Sequence, residues 1–160
     1  GPHFAKITLM SCTSTNPSSL RSRSGELVEY QAELKRRGAR IGGPTPDAVI
    51  DADADVLRSF HAARALDSER PADWVCASLI GADPTVVPAE IAVRIGARAG
   101  FTKALGQEWP ECAARLVDVH PSLSDPEAAE LLCDELAARD GAVEIFGSLV
   151  PEYDLVMWYK

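Results

Sequence analysis

Three side chains of types that carry out enzyme chemistry are clustered in the middle of this 160-residue sequence. Cys76 and Ser78 lie in the apolar segment Trp74–Leu79, which is typical of a strand buried on both faces, and Asp83 comes after it. Open α/β sheets bind ligands at the carboxyl ends of their strands. One hypothesis is therefore an enzyme with an unconventional site near Cys76 and Ser78, although no histidine lies close in sequence to activate either as a nucleophile.

A loop rich in serine and threonine, residues 11–24, is the second candidate for ligand binding. It comes after the first predicted strand, Ala5–Met10, where a dinucleotide-binding domain would place its glycine-rich turn. The loop contains no glycine. Its hydroxyl groups, with Arg21 and Arg23, could hold a phosphate, but a solvated connecting loop explains the same composition. We therefore predict no cofactor.

Acidic and cysteine residues do not form the pattern of a metal site. Asp51, Asp53 and Asp55 alternate with alanines, but the glycine and the distant glutamate of a calcium loop are missing. Asp53 or Asp55 as a helix N-cap explains the pattern more simply. The four cysteines form no C-x-x-C pair and have no histidine at ligand spacing, so we expect reduced thiols and no metal; they are Cys12, Cys76, Cys112 and Cys133.

The overall charge excludes some classes of partner. The formal net charge is −8, which argues against nucleic acid and anionic membrane surfaces as ligands. No apolar run approaches the roughly 20 residues that span a bilayer, and reduced cysteines are typical of a cytoplasmic protein. Gly1–His3 are expected to be the remnant of an expression tag. Residues 4–160 are expected to be a single subdomain cut from a longer protein.

The elements that would position these residues alternate between strand and helix. The predicted order is β-loop-α-β-β-α-β-α-β-α-β-β, with a long helix from Pro88 to Gln107 and an apolar last segment, residues 155–159, that could form an edge strand. This order predicts an α/β fold: a truncated Rossmann-like, doubly wound, mostly parallel sheet with helices on both faces. Within the helices, Val56, Leu57, Phe60, Ala63 and Leu66 recur at helical spacing. Gly96 and Gly100 are expected to allow close packing.

The long helix and the segments after it carry a resemblance to a known family. The segment Gly96–Pro110 ends in Glu-Trp-Pro, a strand ending in Val117-Asp118 comes next, and Asp140–Glu144 leads into the strand Val143–Phe146. This order resembles the ketoreductase region of polyketide synthases, whose subdomains are similar to short-chain dehydrogenases/reductases. The resemblance covers the C-terminal part of the chain well and Trp74–Leu79 loosely. The N-terminal half agrees in topology only.

An active member of that family uses a Tyr and a Lys one helical turn apart, together with a Ser. When the helix is aligned on residues 100–102, the Tyr and Lys positions fall on Ile91 and Ile95, and the only lysine of the helix, Lys103, lies four residues after Ala99. Ser78 alone could match the serine. The resemblance therefore implies a non-catalytic structural subdomain, or pseudo-ketoreductase, with no catalytic residues and no cofactor.

That interpretation also predicts the partners. A structural subdomain of a polyketide synthase would brace a neighbouring domain of the same synthase, either the catalytic half of a ketoreductase or a methyltransferase. The chain itself would then not be an enzyme. Two alternatives stay open: the small α/β enzyme with a site near Cys76 and Ser78, and a free-standing protein-interaction module that docks or dimerises.

Overall fold

The computed structural model describes residues 6–11, 28–52, 55–78, 89–119, 123–137, 144–147 and 155–157. These residues form seven strands and four helices in the alternation that the sequence predicts. In chain order they are β1 (Lys6–Ser11), α1 (Val28–Arg36), β2 (Arg40–Ile41), β3 (Ala48–Ala52), α2 (Val56–Ala65), β4 (Asp73–Ser78), α3 (Ala89–Glu108), β5 (Ala113–Val119), α4 (Asp125–Ala137), β6 (Glu144–Gly147) and β7 (Leu155–Met157).

All seven strands belong to one sheet with the order β2-β1-β3-β4-β5-β6-β7. The first six are parallel to their neighbours, and β7 pairs with β6 in the antiparallel direction. The chain therefore moves outward from β1 to β2 and then crosses to the other side of β1, which is the pattern of a doubly wound sheet. The predicted Rossmann-like α/β fold is confirmed, as is the prediction that the last apolar segment is an edge strand.

Helices cover both faces of the sheet. α1 and α4 pack together on one face, over a core that includes Ile7, Ile50, Val117 and Leu132. α2 and α3 pack together on the other face, over Val49 and Trp74. β4 lies in the middle of the sheet and its residues 73–77 are buried, as expected of a strand covered on both sides.

Local hydrogen bonds fix the ends of the elements. The Asp55 carboxylate accepts a hydrogen bond of 2.9 Å from the Leu57 amide, so Asp55 is the N-cap of α2. Ser124 and Glu127 form a capping box at the start of α4, because each side chain accepts a hydrogen bond from the backbone amide of the other. Gly38 ends α1 with φ of +92°, a conformation that glycine adopts at little cost.

The apolar residues at helical spacing in the sequence do form α2, but not all of them are buried. Leu57 and Phe60 are exposed, whereas Ser59 and Ala63 are the buried residues of α2. The apolar positions span more than half of the helix circumference, and only one side of α2 is covered. The expected close packing at Gly96 and Gly100 is not found among the described residues, where a Cβ at either position would meet nothing within 4 Å. None of the helices in the described ranges is long and apolar enough to cross a membrane.

Candidate functional site

Polar side chains meet on the α2–α3 side of the sheet, near the carboxyl ends of β3, β4 and β5. Asp51 of β3 is the register partner of Cys76 in β4. Two residues further along β4, Ser78 is the register partner of Asp118 in β5. Side chains two residues apart on a strand point to the same face, and β4 presents Trp74 and Cys76 to the same helical layer. This edge of the sheet is where open α/β folds bind ligands.

Helix α3 places Arg98 and Thr102 over these strand ends, and both side chains are buried. Arg98 Nη2 donates a hydrogen bond of 2.8 Å to the carbonyl oxygen of Asp51. The Thr102 hydroxyl donates a hydrogen bond of 2.8 Å to the carbonyl oxygen of Arg98, one turn earlier in the helix. Asp51 and Asp118 are also buried. The buried arginine is therefore held beside β3 by the Asp51 backbone carbonyl.

The Cys76 thiol is buried among these residues and is chemically unreactive. Burial raises its pKa to about 11, and the charge of Asp51 acts in the same direction, while Arg98 and Thr102 oppose them. The thiolate is the nucleophilic form of cysteine. Cys76 is therefore protonated at neutral pH, and the hypothesis of an enzyme near Cys76 and Ser78 loses its strongest nucleophile.

Other predicted residues lie partly or wholly outside the described residues. Ser78 ends β4, but its side chain is not among those described. The same is true of the Ile91 and Ile95 side chains, although both residues belong to α3. Asp83, Arg21, Arg23 and the rest of the loop after Ser11 fall outside the described ranges. Cys112 and Cys133 are buried, as is Cys76, and these three described cysteines form no disulfide.

The aspartates that alternate in the sequence are separated in the structure. Asp51 is buried in the sheet, Asp55 caps α2 at the surface, and Asp53 is outside the described ranges. Within the described part of the chain, no group of three or more His, Cys, Asp or Glu side chains is placed to hold a metal ion.

A groove between α2 and α3 opens on the outer side of the same layer. Its volume is about 540 Å³, and Phe60 and Phe101 contribute aromatic rings to its lining. Arg64 lies over the Phe60 ring, with its guanidinium carbon 6.0 Å from the ring centroid. At one end of the groove, the Trp109 indole N–H donates a hydrogen bond of 3.0 Å to the Asp67 carboxylate.

Sequence reasoning identified Cys76 and Ser78 but missed the residues that surround them. Arg98 and Thr102 carry no motif, and they meet Cys76 only because α3 crosses the sheet over β4. The sequence contains one signal for Arg98. It lies on the same side of the helix as Thr102 and Leu105, and this spacing predicts that its charged side chain faces the sheet.

Comparison of the chain with protein-family models, with curated proteins and with solved structures finds no match.

Proposed function

We propose that this chain is a non-catalytic, ketoreductase-like structural module of a modular polyketide synthase that braces a neighbouring catalytic domain. The observation that carries the proposal is the burial of Cys76 among Arg98, Thr102 and Asp51. These polar groups lie at the edge of the sheet where open α/β folds bind ligands, but they are buried in the protein. The helix of the sequence resemblance, α3, is the element that encloses them.

The sheet edge supports the bracing role. β7 lies at the end of the sheet, and the only pairing that it makes in the described structure is with β6. Its three residues, Leu155–Met157, carry no charge. Edge strands of monomeric proteins usually carry charged residues or proline, which prevent pairing with a strand of another chain. An uncharged edge strand is better suited to contact with an adjacent domain.

Cofactor binding is the direct test. Trp74 lies two residues before Cys76 on β4, about 7 Å away along the strand. A bound dihydronicotinamide at the carboxyl edge would therefore quench tryptophan fluorescence by energy transfer. NADPH absorbs light whether or not it binds. Titration with NADPH is therefore expected to lower the tryptophan fluorescence of the chain linearly, and only as much as it lowers that of free tryptophan measured in parallel. Saturable quenching at micromolar NADPH, with an active reductase as positive control, would contradict the proposal.

A catalytic assay separates the proposed module from the alternative enzyme. Carbonyl reduction and thioester hydrolysis would be followed for the native chain, Cys76→Ala and Cys133→Ala. Cys133 is a matched control because it is also a buried thiol with a raised pKa but belongs to α4, on the opposite face of the sheet. We expect no turnover above background in any of the three proteins. Turnover that is lost in Cys76→Ala and kept in Cys133→Ala would support the enzyme.

A further inference from the structure

Arg98 is a buried arginine whose hydrogen-bonding capacity is mostly unused by the described residues. Its side chain is 2% exposed, and its Nη2 atom donates to the carbonyl oxygen of Asp51. Nε and Nη1 are buried and have no hydrogen-bond partner among the described residues. A guanidinium keeps its positive charge in proteins, and burying a charge without partners is costly. The unsatisfied N–H groups of Arg98 therefore need an explanation, such as a bound ion.

Arg115 shows how the same fold satisfies a buried arginine. It is 3% exposed, and its Nη1 atom lies 3.2 Å from the Asp73 carboxylate and 2.9 Å from the carbonyl oxygen of Ala113. Its Nη2 atom donates to the carbonyl oxygen of Glu135 in α4, on the opposite face of the sheet. Both terminal nitrogens thus have partners from the chain, and one partner is a carboxylate. In the described part of the chain, no carboxylate accepts a hydrogen bond from Arg98.

Arg98 lies where this sheet topology places a ligand. In the order β2-β1-β3 the chain moves outward on one side of β1 and then crosses to the other, so the switch point of the sheet lies between β1 and β3. Asp51, whose carbonyl holds Arg98, is the last residue but one of β3 and the register partner of Met10 in β1. Ligands of doubly wound folds bind in the crevice outside these carboxyl ends. The unsatisfied N–H groups are therefore close to the expected binding position.

Helix α2 brings a second buried polar group to the same layer. The Ser59 side chain is buried, and its hydroxyl has no hydrogen-bond partner among the described residues. Ala63, one turn later, packs with Val49 of the sheet, so the side of α2 that carries both residues faces the sheet. Because α2 runs back from the carboxyl edge, Ser59 is one turn nearer that edge than Ala63, as Asp51 is two strand residues beyond Val49. The hydroxyl therefore lies near the level of the Arg98 contact.

We propose that the switch point of the sheet binds a small oxyanion of the phosphate type, with Arg98 as its principal ligand and the Ser59 hydroxyl as a further donor. A planar guanidinium presents N–H groups in a geometry that matches the oxygens of such an anion. Water satisfies hydrogen bonds but leaves the buried positive charge without a counter-ion. A phosphate-type anion also has more acceptor oxygens than a carboxylate, so it can accept hydrogen bonds from α3 and α2 together.

Burial and charge limit the size of this ligand. The guanidinium is enclosed, so it can take a compact ion but not a dinucleotide. Asp51 and Asp118 are buried in the sheet nearby, and their negative charges disfavour a ligand with several charged groups, such as a pyrophosphate. A single bound ion stabilises the layer and carries out no chemistry. The inference thus goes beyond the proposed function, and either of them can fail without the other.

Equilibrium unfolding in urea tests the site, because the ion can enter whenever the chain unfolds and refolds. Millimolar sodium phosphate is expected to raise the unfolding midpoint of the native chain more than sodium chloride of equal ionic strength does. Arg98→Lys keeps the charge but loses the planar fork, so the apparent dissociation constant for phosphate should rise about tenfold, as the loss of about 1.4 kcal/mol does. Arg115→Lys is the matched control: this arginine is equally buried but its terminal nitrogens have partners, so the phosphate response should be unchanged.

NMR spectra of the arginine side chains test the native chain directly, even where a variant does not fold. The Nε–H signal of Arg98 is expected to shift as phosphate is added and to saturate at one ion per chain, while the Nε–H signal of Arg115 stays unchanged. Sulfate, which has the same shape, should shift the same signal. An Arg98 signal that does not respond to millimolar phosphate would overturn the proposal. So would an unfolding midpoint that rises equally in chloride, or a phosphate response that Arg98→Lys retains in full.

Discussion

The slow chemical modification of Cys76 is the prediction that tests the site most directly. The perturbation is an excess of iodoacetamide at pH 8 under native conditions, with no mutation. The thiol is buried and its pKa is raised to about 11. At pH 8 about one Cys76 in a thousand is then ionised, against about one in four for an ordinary cysteine with a pKa near 8.5.

Ionisation alone therefore slows alkylation of Cys76 by roughly 200-fold relative to a free thiol such as glutathione. Burial adds a further factor, because the reagent reaches the sulfur only when the layer formed by α3 opens. The rate constant for Cys76 should consequently rise steeply in low concentrations of urea, while that of glutathione does not change.

Peptide mapping by mass spectrometry measures this rate without altering the protein. Time points are quenched with acid, digested and quantified for the peptide that contains Cys76, with glutathione in the same tube as the reference. Alkylation of Cys76 at a rate close to that of glutathione would refute the reasoning. It would mean that the thiol is accessible and ionised, and it would restore the hypothesis of a catalytic cysteine.

Three further predictions concern stability and are measured by urea unfolding. Arg115→Met should destabilise the fold by about 3–5 kcal/mol, because Arg115 is buried with its Nη1 atom 3.2 Å from the Asp73 carboxylate. Ser124→Ala should cost about 1 kcal/mol, because the N-cap hydroxyl of α4 is lost. Hydrogen bonds, first of all from Arg70, lower the pKa of Asp67. The stability difference between the native chain and Asp67→Asn should therefore be full above about pH 4 and shrink as the pH falls further.

Each of these predictions has its own control. The double variant Arg115→Met with Asp73→Leu should lose less stability than the sum of the two single changes, and simple additivity would show that the pair does not interact. Glu130→Ala, at an exposed position of α4, should change stability little; an equal loss there would remove the capping explanation. For Asp67, the variant Glu69→Gln, at an exposed neighbouring position, serves as the comparison. A stability difference between the native chain and Asp67→Asn that increased as the pH fell would contradict the prediction.

The order of strands and helices could be predicted from the sequence because it depends on local patterns. Segments such as Trp74–Leu79 are mostly apolar and bounded by turn residues, which indicates strands of a parallel sheet. Asp55, one of the two N-cap candidates in the sequence, and Ser124 mark helix starts through hydrogen bonds to residues close in sequence, and Gly38 ends α1 with a positive φ. Such contacts do not depend on the rest of the chain.

The candidate site could not be predicted in the same way. Arg98 and Cys76 are separated by more than 20 residues, and nothing in either segment indicates that they meet. Their contact depends on the register Asp51–Cys76 in the sheet and on the path of α3 across it. The protonated state of Cys76 likewise depends on burial, which is a property of the assembled layers.

The same distinction applies to α3. The sequence by itself determined that Gly96 and Gly100 lie in a helix, and it made close packing the natural explanation. Only the tertiary structure decided that both glycines face away from the sheet, where no described part of the chain covers them. The physical reason is that periodicity fixes which residues share a side of a helix, whereas the packing of the other layers fixes which side is buried.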